Sequence, residues 1–313
     1  MDEQWSRGGA DDSRASGGAG ASAGAGTGPG AADGRGPRSV SGAAASGADV
    51  ITERWTIGEG QSRVIDLDAV SALRVALVGG SVDIVGHDEP TARVEVHRVE
   101  GSDLTVALEQ GRLSISHPRV SWDDVWESVK ALVGVRARAE LSIVVPREVA
   151  ASLGQVSASA LVTGLRGRAS LSSVSGPIQV ESHAGAIDLN TVSGDVEVSG
   201  GSGTLSVHAV SATVTASGAL EVVGIDTVSG DVLLDLHGAP RSISANAVSG
   251  DVTARIDAGI GISATVRTVS GRGSIAGVAL PKRGGRETIA GDSPFEFRAS
   301  TVSGDVTVVR RHA

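Results

Sequence analysis

The hexapeptide TVSGDV occurs at residues 191–196, 227–232 and 301–306, and AVSGDV at 247–252. Aligned on the valine of this Val-Ser-Gly/Ala triplet, the copies stand at Val156, Val174, Val192, Val210 and Val228, 18 residues apart. They continue at Val248, Val269 and Val302, with insertions in the last three intervals. A fixed period of this kind marks a repeat architecture. A unit of 18 residues buries too little to fold alone, so each must rest on its neighbours.

The unit that starts at Val192 carries apolar residues at Val192, Val196, Val198, Leu205 and Val207. One period earlier they are Val174, Ile178, Val180, Ile187 and Leu189, and one period later Val210, Val214, Ala216, Val223 and Ile225. Apolar residues two apart form the inward face of a short strand. Gly-Gly-Ser-Gly at 200–203 turns between two such strands. The pattern predicts an all-β, single-stranded parallel β-helix or β-solenoid with repeats of about 18 residues. All five aliphatics read as buried, so Val192→Asp is expected to loosen neighbouring rungs by placing a charge in the core.

Composition agrees with strands. Hydrophobic residues make up 40% of the 313, but aromatics only 2%, so Val, Ile, Leu and Ala must fill the core. Val and Ile favour pleated strands, and 44 glycines supply turns and close backbone contacts. Without Cys there are no disulfides and no thiolate metal sites. A net charge of -9 argues against binding nucleic acid or anionic lipid. No apolar run is long enough for direct membrane insertion as a helix. The first residues, MDEQWSRGGADDSR, do not read as a signal peptide, so the expected location is cytoplasmic, with envelope association as the alternative.

Three regions follow. Residues 1–49 are a Gly/Ala/Ser-rich tail with almost nothing to bury, expected to be disordered. GASAG at 20–24 formally matches a hydrolase elbow, but it lacks the strand and helix that such an elbow needs. Residues 50–150 are β-rich, with Gly79-Gly80 and Glu109-Gln110-Gly111 as hairpin or rung turns. One amphipathic helix is predicted at 121–133, with Trp122, Val125, Trp126, Val129, Leu132 and Val133 on one face and Ser121 with Asp124 as a capping box. It reads as a cap on the β core or as a partner-docking helix. Residues 151–313 hold the solenoid repeats.

The repeated polar residues read as structure. Serine follows the valine in all eight copies, from Ser157 to Ser303, which suits a ladder at a bend rather than a nucleophile. Asp195, Asp231, Asp251 and Asp305 are expected to bond their own turns, with only Asp231 and Asp251 as direct neighbours and no stabilisation by calcium. His183 and His237 lie three rungs apart, too far to share a metal ion. The insertion 277–292 carries Lys282, Arg283 and Arg286 and reads as a solvated loop or a contact for an acidic partner. Arg310, Arg311 and His312 are expected to guard the open end of the stack.

With these hexapeptides and the strand-rich lead-in, the chain resembles a bacterial "putative adhesin" β-strand-repeat family of unknown function, itself similar to GIN-type autotransporter adhesin heads. The resemblance spans roughly 50–309 and is clearest at 173–308. It implies a β-helical fold, no established enzymatic activity and no catalytic residues to carry over. It also implies that some relatives are linked to envelope-stress signalling or carry membrane anchors. The expectation is a non-enzymatic scaffold or protein-interaction module, a monomer or weak homo-oligomer through its edges, with unidentified protein partners. No catalytic, cofactor or metal residue is assigned. An exported adhesin is the second reading. A polysaccharide-active enzyme is the third, and it lacks a convergent carboxylate cluster.

Overall fold

The computed structural model describes residues 52–117, 137–281 and 285–311. These all belong to one compact unit, Asp49–Ala313. The helix expected at 121–133 and the tail expected at 1–49 lie outside the described residues.

The described residues form 22 strands and no helix. Most pair in parallel and in register, one period apart: Leu189 lies between Leu171 and Val207, and Val196 between Ile178 and Val214. Each coil contributes one strand to each of two facing layers. In the coil from 202 to 217, Leu205 and Val207 point in from one layer and Val214 and Ala216 from the other, all fully buried. The core is thus a column of aliphatics between two sheets, with neighbouring rungs ~4.8 Å apart.

The stack begins earlier than the triplets do. Strand Ala72–His87 is its first rung, with Val78-Gly79-Gly80 set against Val156-Ser157-Ala158 of strand Ala150–Thr163. Gly79-Gly80 is therefore a corner inside one long strand and not a hairpin. Before it the pairing is partly antiparallel. Strand Arg112–Ser116 leads through Leu104–Glu109 to Thr52–Ile57, and strand Arg138–Pro146 leads through Thr91–Glu100 to Arg63–Asp68. Gln110-Gly111 turns one of these hairpins with positive φ at both residues.

The rungs do not stack in chain order at the C-terminal end. Strand Asp292–Ser303 lies between Ser242–Ser249 and Ile260–Thr268, parallel to both. Val306–Arg310 likewise lies between Val252–Ile256 and Gly273–Ile275. The last rung in sequence is therefore the penultimate rung in space. Two consecutive units leave a gap one strand wide, and the end of the chain fills it. Phe297, fully buried, occupies this gap with Ile243 on one side and the small Ala264 on the other. The segment expected as a solvated loop at 277–292 instead closes the end of the stack. Its strands Gly285–Ile289 and Val278–Ala279 run antiparallel to the outermost rung.

Arg310 and Arg311 do not sit at an open end, as the sequence suggested, but latch the inserted rung. Arg310 donates to the Ile260 carbonyl at 3.0 Å. Arg311 bonds Asp235 and lies 3.1 Å from Asp257. Asp235 also accepts from Arg255 Nε at 2.9 Å. The Arg255 hydrogen bond, reinforced by Arg311, pulls the Asp235 carboxyl down to about 2.

Two outcomes follow. Phe297→Ala should lower stability by about 3–5 kcal/mol, because the gap between two fixed rungs cannot collapse around the void; a change near zero in a urea titration would contradict the inserted packing. A carboxylate whose folded pKa lies below its ordinary value stabilises fully above pH ~4 and loses that contribution as pH falls toward 2. The urea midpoint should drop across that window, and the drop should be shallower in the double variant Arg255→Ala/Arg311→Ala.

Candidate functional site

The hexapeptide forms the corner between the two layers, and each of its residues has one task. The threonine or alanine before the valine points inward: Thr191, Ala209, Thr227, Ala247, Thr268 and Thr301 are all buried. Thr191 and Thr227 each donate to the carbonyl of the serine two residues on, at 3.1 and 3.3 Å, which closes the corner. Serine hydroxyls donate to the valine carbonyl of the rung before, Ser175 to Val156 and Ser193 to Val174 at 3.1 and 3.2 Å. Ser270 follows the spatial order and bonds Val302 at 3.1 Å. These hydroxyls are spent on backbone.

Glycine lets the corners touch. A Cβ on Gly250, whose φ is +138, would lie 2.2 Å from the Gly230 carbonyl oxygen. Positive φ and close approach act together at Gly176, Gly194, Gly230 and Gly250, whereas close approach alone requires glycine at Gly271 and Gly304; Ala158 and Ala212 occur without positive φ. The aspartates do not bond their own turns, as expected, but the next rung. Asp231 Oδ1 accepts the Asp251 N–H at 2.9 Å, Asp251 Oδ1 the Asp305 N–H at 2.7 Å, and Asp305 Oδ1 the Arg272 N–H at 2.8 Å. Three carboxylates are thus consecutive in space, Asp305 included. Among the described residues, no group of three or more His, Asp or Glu side chains is placed to hold a metal ion. His183 is buried, and burial pushes its pKa down, whereas His237 is surface-exposed, 3.7 Å from Asp257.

The motif valine is where the sequence reading fails most. It was expected in the core, and it points outward. Strand alternation through Ile187, Leu189 and Thr191, all buried, puts Val192 on the exterior face, and the corner resets the alternation before Val196. Exposure grows along the stack from 6% at Val78 to 45–49% at Val210, Val228, Val248 and Val302, and 72% at Val269 on the last rung. The valines form one column. Beside them runs a second outward row two residues earlier, which includes Asn190, His208, Asp226, Asn246, Ser300 and Arg267.

Between the two rows lies a groove parallel to the stack. Its larger part, about 770 Å³, runs from Val210 to Val269. A second part of about 280 Å³ continues to Val174 and shares His208 and Val210 with the first. The walls are mostly apolar. In the polar row, His208 Nδ1 lies 3.3 Å from Asp226, and Asn246 donates to Asp226 at 2.8 Å. A signal for this groove was in the sequence: the valine is repeated without substitution while the inward position before it varies among Thr, Ala, Ser and Gln.

Two stacked layers, in-register corners and an exterior groove define a β-solenoid repeat protein. The chain belongs to the Toastrack DUF4097 family, which matches residues 73–309. Among solved structures it is similar to a "putative cell adhesion protein" from Clostridium sporogenes ATCC 15579, with 12% identity over 80% of this chain and 99% of that one and a TM-score of 0.26. It is also similar to a "putative lipid binding protein" from Parabacteroides distasonis ATCC 8503, at 10% identity, 80% and 97% coverage and a TM-score of 0.33. A "putative adhesin" from Bacteroides fragilis NCTC 9343 gives 11% identity, 81% and 98% coverage and a TM-score of 0.35. No curated protein matches the chain.

The inside–outside assignment has a direct test. Val228→Asp should shift the melting temperature by no more than a few degrees, since its side chain reaches water. Val232→Asp, four residues on and fully buried, should abolish cooperative unfolding. Equal damage from both would return the motif valine to the core.

Proposed function

We propose that this chain is a non-enzymatic β-solenoid module that docks an apolar segment of a protein partner in the valine-lined groove. The observation that carries the reading is the continuous exterior column of valines. Scattered surface aliphatics are ordinary, but a contiguous apolar stripe marks an interaction site. Cross-rung contact between stacked valines would add some stability. Threonine, equally β-branched, would serve that purpose on a wet face, and it does not appear at these positions.

The rest of the motif fits a scaffold. Serine hydroxyls are bonded to backbone, and aspartates hold the next rung, so the polar repeats are occupied in keeping the groove straight. From Val210 to Val302 the rungs that line the groove are hydrogen-bonded on both sides, so a β-strand partner has no free edge there to pair with. Recognition must therefore use side chains that cross the rungs.

A photo-crosslinking side chain at Val228 should capture a discrete partner in native cells, and one at Glu197, exposed on the other layer, should not. The triple variant Val210→Thr/Val228→Thr/Val248→Thr should keep the melting temperature within a few degrees and lose that partner. Capture that is indifferent to the triple variant would contradict a groove-based function.

A further inference from the structure

The charge around the groove narrows what fits it, given the docking reading above. The corner places an aspartate three residues after the valine, at most ~10 Å along the chain. Asp231, Asp251 and Asp305 therefore form a short acidic rail at the corner beside the valine column, with Asp195 separated from it by Thr213. Asp195, Asp231 and Asp251 are exposed. The hydrogen bonds that Asp231, Asp251 and Asp305 accept from the next rung use Oδ1 alone, which leaves Oδ2 for a second donor. On the opposite wall stands Asp226. Fixed cations come only at the last rung, with Arg267 in the outward row and Arg272 at the corner. The larger part of the groove thus has Asp226 on one wall and the Asp231, Asp251 and Asp305 corner beside the other, and turns basic at its last rung.

Such a field repels nucleic acid and anionic lipid and attracts cationic partners. Apolar contact in the middle with carboxylates alongside suits an apolar stripe flanked by lysine or arginine. A helix provides that stripe at a pitch of ~5.4 Å, close to the ~4.8 Å between successive valines. The five valines from Val210 to Val269 span roughly 19 Å, which is about 13 residues of helix. We infer that the groove receives a cationic amphipathic helix of a partner protein, its apolar face on the valine column and its basic flank on the aspartate rail.

The test uses the full chain and three probes. These are a Leu/Lys amphipathic helix of about 18 residues, its Leu/Glu counterpart, and phosphatidylglycerol vesicles. The Leu/Lys peptide should bind, more weakly at high salt. Asp231→Asn/Asp251→Asn keeps the acceptor for the next rung's N–H, so the stack survives. It should weaken binding by roughly threefold to tenfold and flatten the salt dependence. Val228→Ser/Val248→Ser should weaken binding at every salt concentration. Equal binding of both peptides, lost on the valine variant, would overturn the cationic partner and leave the docking reading intact. Binding indifferent to the valine variant would overturn both. Vesicle binding without peptide binding would also overturn the inference.

Discussion

A carboxylate on one corner holds the backbone N–H of the next, and a glycine at the same corner lets the two approach. Asp231, Asp251 and Asp305 pass this bond along the stack to Arg272, with Gly250 pressed against the Gly230 carbonyl. Everything else depends on this registration. Once the corners coincide, Val214, Val232 and Val252 must superpose in the core, and Val210, Val228 and Val248 must superpose on the surface. A corner that repeats therefore generates two columns, one that holds the fold together and one that faces outward.

The interior was legible and the exterior was not. The 18-residue spacing and the pairs Val196/Val198 and Leu205/Val207 were enough to place two strands per coil and an aliphatic core. The motif valine was misassigned because hydrophobicity was taken as a sign of burial. Alternation from Leu189 through Thr191 already places Val192 outside, and a buried threonine that bonds its own corner is harder to recognise than a buried valine. Chain order was equally deceptive. The copies at Val269 and Val302 look successive, yet the rungs are homologous and either can rest on the rung of Val248. Phe297 beside Ala264, and Arg311 beside Asp235 and Asp257, select the inserted order through contacts too distant in sequence to show a period. Gly79-Gly80 hid the first rung because it lacks the serine that marks the others.

Repetition also explains why the polar residues read as structure. Ser175, Ser193 and Ser270 meet the valine carbonyl of the adjoining rung, and Asp231, Asp251 and Asp305 meet its backbone N–H. Their hydrogen bonds then go to the neighbour before any substrate arrives. Valine has no such demand, so its side chain remains available. The chain shares its repeat architecture with the Toastrack DUF4097 family.

The chain contains no cysteine, so single thiols report on single positions. The most direct test compares Val228→Cys with Val232→Cys in the otherwise native protein, by the rate of reaction with a maleimide. The account predicts rapid labelling at position 228, slowed when the groove is occupied, and protection at 232 until the protein unfolds. Protection at 228 equal to that at 232 would place the motif valine in the core and remove the groove on which the functional reading stands.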